Sequence, residues 1–349
     1  MGDYTSDSSD SDNQLSNKSL DFSYTYLDSD TLFNNLEVLS ETEKSSINDT
    51  EALLLHHNQL NTLPLNINKF QNLKLLDISS NGLKELPEVL ISCPLTSLIA
   101  RNNNLDNDSF PKSFSLLKNL KELNLSGNNL TCFPEQVLEL SKLKGKPNSR
   151  DTKRYMEANM ILYMGGNRLI EVPASVGQLR FLHGLILSDN MIESIPASIA
   201  NLTNLKSLLL HKNKLKALPT EIIALKFLTE LSLRDNPLVV RFVSHMTLNP
   251  SSLLEAAGRT IKTFNISYSP EDLPLHLRSY LESAHQCVNP KCEGVYFDNH
   301  VEHIKFVDFC GKFRVPLLQY LCSPKCIMGD NCKRSGNCDH FLMKKVLLG

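Results

Sequence analysis

The sequence predicts an α/β solenoid with about eight repeats and a curved parallel sheet on its concave face. Three observations predict it: an asparagine recurs at a nearly fixed interval, leucines recur at fixed offsets from it, and a Leu-Pro pair closes the pattern. The intervals are 22 to 25 residues, except for one of 39. The asparagines are Asn58, Asn81, Asn103, Asn128, Asn167, Asn190, Asn213 and Asn236.

The repeat has the form L-x-x-L-x-L-x-x-N-x-L-x-x-L-P, as in the stretch from Leu205 to Pro219. This signature is typical of leucine-rich repeats, whose coils bury apolar side chains only against neighbouring coils. The paired leucines are predicted to point inward from a short strand, while the asparagine bonds backbone groups that strand pairing leaves unmatched. The long interval implies an insertion at 144–159. Its basic composition favours a tolerated surface loop over a partner-binding finger.

The rest of the chain divides by composition. Residues 1–50 hold eleven acidic residues against two lysines, and the Asp- and Ser-rich part is predicted to be disordered. Leucines at helical spacing then predict a short capping helix. The predicted divisions are a disordered acidic tail at 1–30, a capping helix at 31–49, repeats at 50–240, helices at 241–286, a cysteine-rich module at 287–326 and a tail at 327–349.

Composition excludes several classes of function. A net charge of −2 argues against a nucleic-acid or acidic-membrane binder, and no apolar run is long enough to span a bilayer. The N-terminus lacks the pattern of a secretion signal, so we expect a cytoplasmic protein, with the nucleus as an alternative. No phosphate-binding glycine loop, nucleophile elbow or spaced carboxylate pair occurs. The sequence therefore predicts a protein that is not an enzyme.

The concave face is the usual binding surface of repeat arrays. An apolar stripe runs through Leu54, Ile99, Tyr163, Ile186 and Leu209, with charges on either side. This arrangement favours a protein interface over scattered exposed apolar residues. Histidines on the first and seventh coils lie too far apart for one metal site. The predicted client-binding residues are Leu54, His56, Asp77, Arg101, Tyr163, Ile186, Asp189, Leu209, His211 and Arg234.

Two cysteine pairs follow the helices: Cys287 with Cys292, and Cys322 with Cys326. In a reducing compartment such pairs indicate metal ligands, with buried free thiols as the alternative. Four thiolates predict a zinc-knuckle-like structural site without an open position for an activated water. Substitute ligands are Cys310, His300 and His303, and a second partial site is Cys332, Cys338 and His340.

Two short helices precede the cysteines. Ser252 and Glu255 form a predicted capping box, and Leu253, Ala257 and Ile261 then recur every four residues. This spacing resembles an elongin-binding box, with Ala257 in the place of the usual cysteine. The next helix resembles the cullin box of the cullin-2 class, while His276 departs from the cullin-5 form. Its predicted cullin contacts are Leu273, Pro274, Leu277 and Leu281.

A more specific resemblance lies in the stretches 236–243, 252–261, 296–310 and 320–324. They resemble leucine-rich repeat substrate receptors of cullin-RING ubiquitin ligases. The resemblance covers most of residues 50–326 but neither the insertion nor the tail after Cys326. It implies elongin C and elongin B as adaptors, cullin-2 or cullin-5 with a RING subunit, and cysteine dioxygenase as a client. The alternative is a non-catalytic scaffold in intracellular signalling whose last helices cap its core.

Overall fold

The chain divides into two compact units. The computed structural model describes residues 18–141, 159–239, 252–269, 271–289, 292–309, 313–323, 326 and 345–347. The first unit, here the repeat unit, comprises Met1–Leu215, Glu221–Pro237 and Met343–Gly349; the second, the C-terminal unit, comprises Lys216–Thr220 and Leu238–Leu342. None of the helices in these described stretches combines the length and apolar character needed to cross a bilayer.

The repeat unit is built on a ten-stranded sheet whose neighbouring strands all run parallel. Inward residues such as Leu53 and Leu98 are fully buried, and the residues on either side of them are half-buried. The predicted leucine-rich repeat solenoid is therefore confirmed. In sheet order the strands are β1 (Ser19–Asp21), β2 (Ala52–Leu54), β3 (Leu75–Asp77), β4 (Ser97–Ile99), β5 (Glu122–Asn124), β6 (Met160–Tyr163), β7 (Leu182–Ile186), β8 (Ser207–Leu209), β10 (Glu230–Ser232) and β15 (Lys345–Leu347).

The coils of Asn58 to Asn213 each return through a short helical segment that follows the proline of the repeat. Pro64 and Pro196, for example, directly precede such segments, since a fixed φ and a missing N–H suit the first turn. Most segments are 3₁₀-helices, which fit a narrow coil. They are Leu65–Lys69, Glu88–Ser92, Phe114–Leu116, Glu139–Ser141, Ala174–Gln178, Ala197–Asn201 and Thr220–Ala224, with α3 at Glu135–Leu138.

The repeated asparagine joins adjacent coils, as predicted. In Asn128, Nδ2 donates to the carbonyl oxygens of Leu125 and Ala100, both at 3.0 Å. Its Oδ1 accepts from the Leu105 amide at 3.1 Å. The side chain is buried, so it satisfies backbone groups that water cannot reach.

An additional coil precedes the first predicted repeat, because part of the expected acidic tail is ordered. β1 pairs with β2, and the Thr25 side chain occupies the asparagine position, donating to the Phe22 carbonyl at 2.6 Å. Leu27 is buried below it. The prediction of disorder through residue 30 is therefore wrong for residues 18–30. The pattern was missed because threonine replaces asparagine.

The capping helix begins slightly earlier than predicted. α1 (Ser29–Thr42) starts after Asp28, whose carboxylate accepts from the Thr31 amide at 2.8 Å. α2 (Lys44–Asp49) follows as a separate turn of helix. Leu32 and Leu36 on α1 are buried, so this helix covers the first coils through one apolar face.

The C-terminal unit contains two helices and two small sheets. The helices are α4 (Leu253–Thr263) and α5 (Leu275–Glu282). In one sheet β11 (His285–Gln286) pairs with β12 (Val295–Tyr296). In the other, β13 (Val301–Phe309) forms a hairpin with β14 (Phe313–Leu321), which also pairs in parallel with β9 (Leu218–Pro219).

Several sequence predictions concern other parts of the chain. The predicted tail at 327–349 contains β15, which continues the repeat sheet beside β10. Residues 142–158, which contain nearly all of the predicted insertion, lie outside the described residues. So do Cys310, Cys332, Cys338 and His340.

Candidate docking surfaces and metal centre

The central row of the concave face follows from strand register. Cα pairing aligns Leu54, Asp77, Ile99, Asn124, Tyr163, Ile186 and Leu209 across β2 to β8. All of these side chains are half-buried. Only Tyr163, Ile186 and Leu209 are direct apolar neighbours, because Asp77 and Asn124 separate the others. The predicted five-residue stripe is therefore broken, and a three-residue apolar patch remains.

The other predicted client-binding residues lie in the turns that follow the strands. Arg101, Asp189 and Arg234 are exposed, while His56 and His211 are half-buried. Asp189, His211 and Arg234 follow β7, β8 and β10 and form a polar margin beside the apolar patch, as in protein interfaces. His56 and Arg101 follow β2 and β4, farther along the sheet. Sequence analysis missed Tyr24, which stacks on His57 at a ring distance of 4.3 Å, because its coil had not been recognised.

Two of the three predicted elongin-binding residues lie on the exposed face of the α4 helix. The Ser252 hydroxyl caps the helix by accepting from the Glu255 amide at 3.1 Å. Leu253 is 91% exposed and Ala257 is also exposed. Ile261 differs, since it is half-buried against the cluster of Leu281, Val295 and Phe297. The predicted stripe therefore divides into two outward residues and one inward residue.

Glu255 anchors the opposite face of α4, a role that the sequence did not reveal. Its side chain is 1% exposed, and instead of completing a capping box it accepts from Asn299 Nδ2 at 2.7 Å and from the Phe297 amide at 3.3 Å. Arg259 adds a bond from Nη2 at 2.6 Å. Burial raises the pKa of Glu255, but these hydrogen bonds outweigh it and hold the pKa below its usual range.

The α5 helix presents fewer residues to solvent than predicted. Leu281 is buried in the core of the unit and Leu273 packs against the same cluster, so the prediction that Leu281 contacts a cullin is wrong. Pro274 is exposed and Leu277 is half-buried. The most exposed apolar residue of α5 is Leu275, at 70%.

The start of α5 has no side-chain cap, although Asp272 lies only two residues before Pro274. Pro274 occupies the N-cap position, and the Asp272 carboxylate accepts from the Ser269 amide at 2.6 Å instead. Asp272 therefore stabilises the turn before the helix.

The four predicted cysteines converge. The sulfur atoms of Cys287, Cys292, Cys322 and Cys326 all lie within 4.8 Å of one another. Sγ of Cys322 lies 3.4 Å from that of Cys292 and 3.6 Å from that of Cys326. These distances exclude disulfides. The amide of Gly294 donates to Cys292 Sγ at 3.3 Å.

The donor set fits a metal ion. Four thiolates at about 2.3 Å from a tetrahedral zinc would place their sulfurs about 3.8 Å apart, close to the distances seen. Burial and the neighbouring thiols raise the pKa of Cys322, so a cation is needed to favour its thiolate form. The imidazole ring of the predicted substitute His300 instead packs edge-on against the Tyr320 ring, with the ring centroids 4.5 Å apart. The cluster can therefore hold a metal ion through four cysteines.

The fold and the cysteine cluster define a leucine-rich repeat protein with a C-terminal module that can bind a metal. The leucine-rich repeat family model matches residues 119–140. Leucine-rich repeat-containing protein 58 of Xenopus tropicalis is 43% identical over 330 residues, which are 90% of this chain and 93% of that protein. The human protein of that name is 65% identical over 89 residues, 26% of this chain and 24% of its own length.

The chain belongs to the leucine-rich repeat-containing protein 58 family. Among solved structures, the leucine-rich repeat ectodomain of an Arabidopsis thaliana membrane receptor kinase is 26% identical. It covers 56% of this chain and 25% of that one, with a TM-score of 0.40.

Proposed function

We propose that this protein is a non-catalytic substrate-recognition adaptor of an elongin B/C–cullin-RING ubiquitin ligase. The concave face binds a client protein and α4 docks on elongin C, so that the client is held where ubiquitin is transferred. The main observation in support is the position of Leu253, an aliphatic side chain exposed to 91%. Exposed leucines on an anchored helix suit the groove of a partner, since their burial there removes apolar surface from water.

The contacts of α4 support this role. Glu255 and Gly258 are buried on one side of the helix. Leu253 and Ala257, together with Ala256 and Thr260, are exposed on the other side, at positions i, i+4, i+3 and i+7. The small residues leave a smooth surface around Leu253. The docking face of α4, defined by these four residues, is accordingly the proposed elongin site.

Pro274, Leu275 and Leu277 are the accessible residues of the proposed cullin contact. Leu275 is added because of its exposure, and Leu281 is removed because of its burial. Cullin-2, or cullin-5, with its RING subunit is the proposed ligase core. The proposed client binds the patch of Tyr163, Ile186 and Leu209, and cysteine dioxygenase is the client to test first.

We also propose that the four cysteines hold a structural zinc. Four protein ligands complete a tetrahedral shell, so the ion would stabilise this unit and would not activate water. The proposed location is the cytoplasm or the nucleus, where thiolate ligands persist.

The second candidate is a scaffold protein in intracellular signalling. It is favoured by the packing of Ile261, Leu273 and Leu281 within the C-terminal unit, since these residues stabilise the protein itself. The two candidates differ in what the docking face of α4 does: a scaffold leaves it free, whereas a receptor uses it.

Affinity purification from cells followed by mass spectrometry tests the proposal. Wild type is compared with Leu253→Asp and with Leu65→Asp, which makes the same change at a leucine that is 69% exposed in the repeat unit. We expect elongins and a cullin with wild type and Leu65→Asp, and their loss with Leu253→Asp. Equal recovery with all three proteins, or elongins with none, would refute it.

A further inference from the structure

We propose that Glu255 and Arg259 are positioning residues that couple metal binding at the four cysteines to the docking face of α4. The inference depends on the metal site proposed above. It does not depend on which protein binds α4. Through this pair, the presence or absence of the metal would affect the docking face of α4, which contains none of the four cysteine ligands.

Arg259 joins α4 directly to the cysteine cluster. Its Nη1 donates to the carbonyl oxygen of Cys322 at 2.8 Å, and Cys322 is itself a proposed ligand. Its Nη2 donates to the carbonyl oxygen of Asn299. The guanidinium group thus bonds two backbone carbonyls, one of them that of Cys322, through one rigid fork, a geometry that lysine cannot reproduce.

Glu255 holds that fork in place and fixes the helix. Arg259 Nε and Nη2 donate to Glu255 Oε1 at 3.1 Å and 2.6 Å. The same carboxylate accepts from the amide and the side chain of Asn299 at 3.2 Å and 2.7 Å. A β-carbon at Gly258 would lie 3.1 Å from the Phe297 ring, so α4 packs closely against this segment. These contacts turn Leu253 and Ala257 outward.

The coupling follows from what metal binding does to Cys322. A bound ion fixes the Cys322 sulfur and with it the backbone carbonyl that Arg259 uses. Without the ion, that carbonyl is free to move, and Arg259 loses an acceptor for a partly buried charge. By thermodynamic linkage, loss of the Arg259 contact must weaken metal binding by the same factor that metal loss weakens the contact. Partners outside the ligand shell typically contribute about 10- to 100-fold to metal affinity.

Zinc affinity of the full chain, measured by competition with a chromophoric chelator, tests this coupling. We expect Arg259→Gln to bind zinc at least about tenfold more weakly than wild type. Lys262→Gln is the matched control, since it removes the same charge from the same helix, and it should keep wild-type affinity. Arg259→Lys retains the positive charge but lacks the guanidinium fork, so its zinc affinity should lie between that of Arg259→Gln and that of wild type. It also keeps the test decisive if Arg259→Gln does not fold.

Hydrogen exchange of the α4 amides tests whether α4 responds to zinc. If Arg259 only stabilised the fold, removing zinc would not change the exchange rates of these amides. In wild type, the chelator should speed exchange in α4. In Arg259→Gln, exchange should already be fast and should respond little to zinc. Wild-type zinc affinity in both Arg259 variants, or an α4 indifferent to zinc in wild type, would overturn the coupling.

Elemental analysis and elongin binding separate the coupling from the proposals on which it depends. A wild-type chain without zinc would overturn both the metal site and the coupling. A zinc-dependent α4 that does not bind elongin would support the coupling and refute the ligase assignment.

Discussion

Gly294 lies against Cys322 with no room for a side chain. A β-carbon at position 294 would come within 2.9 Å of the Cys322 sulfur and 3.2 Å of the Cys292 sulfur. The glycine amide also donates to Cys292. A tight turn of this kind, with its N–H directed at a sulfur, stabilises a thiolate and keeps the ligands close together.

We therefore expect Gly294→Ala to lose most of its zinc, because the methyl group would push two ligands apart. The measurement is the zinc content per chain by elemental analysis. Gly82→Ala is the control, since there a β-carbon would meet mainly the end of the flexible Asn61 side chain. Zinc retained in Gly294→Ala at the wild-type level would contradict the four-thiolate site.

Asn213→Ala should destabilise the repeat unit by about 3 kcal/mol, because it leaves several buried backbone groups without partners. Asn213 donates to the carbonyls of Leu187 and Leu210 at 2.9 Å and 3.1 Å and accepts from the Ile192 amide at 3.0 Å. Urea unfolding provides the measurement. Asn204→Ala removes a single exposed hydrogen bond and should cost no more than about 1 kcal/mol; equal losses would contradict the account.

Leu281→Ala should lower the free energy of unfolding of the C-terminal unit by about 2 to 5 kcal/mol, because it leaves a cavity beside Phe297. Leu275→Ala changes the same residue type on the same helix, and since Leu275 is exposed it should have little effect. The free energies of unfolding of the two variants and wild type are measured by chemical denaturation of the purified protein, with no partner protein present. A stable Leu281→Ala protein that fails only in cullin binding would restore Leu281 as a contact residue.

Acid should weaken the attachment of β1. Hydrogen bonds from Lys18 and Lys74 lower the pKa of Glu51 to about 2. Because the folded pKa is below the unfolded one, the ionised carboxylate stabilises the fold above about pH 4.5, and this stabilisation disappears as the pH falls toward 2. The effect is small, since the two lysines are exposed, Glu51 is partly exposed, and salt screens the ion pairs.

The comparison of wild type with Glu51→Gln isolates this contribution. We expect wild type to unfold at higher urea than the variant at neutral pH, with the two midpoints converging as the pH approaches 2. A difference that is constant with pH would show that the carboxylate's charge is not responsible.

The sequence predicted the features that depend on local periodicity. The asparagine spacing predicted the coils, and the cysteine spacing predicted the cluster, because both follow from residues repeated at fixed intervals. The coil around Thr25 was missed because one residue of its signature is replaced. The bonds from Asn299 to Glu255 were also missed, since 44 residues separate the partners and no pattern links them. Leu281 was predicted to be a surface contact because the spacing of apolar residues along a helix does not show which face packs against the core.

The most direct test of the ligase assignment is calorimetric titration of the purified elongin B–elongin C heterodimer into the full-length protein. We expect saturable one-to-one binding, weakened at least about thirtyfold by Leu253→Asp, as for a central residue of a protein interface. Leu65→Asp should bind like wild type. No heat of binding with wild type, or the same affinity for wild type and Leu253→Asp, would contradict the assignment of α4 as the elongin-binding helix.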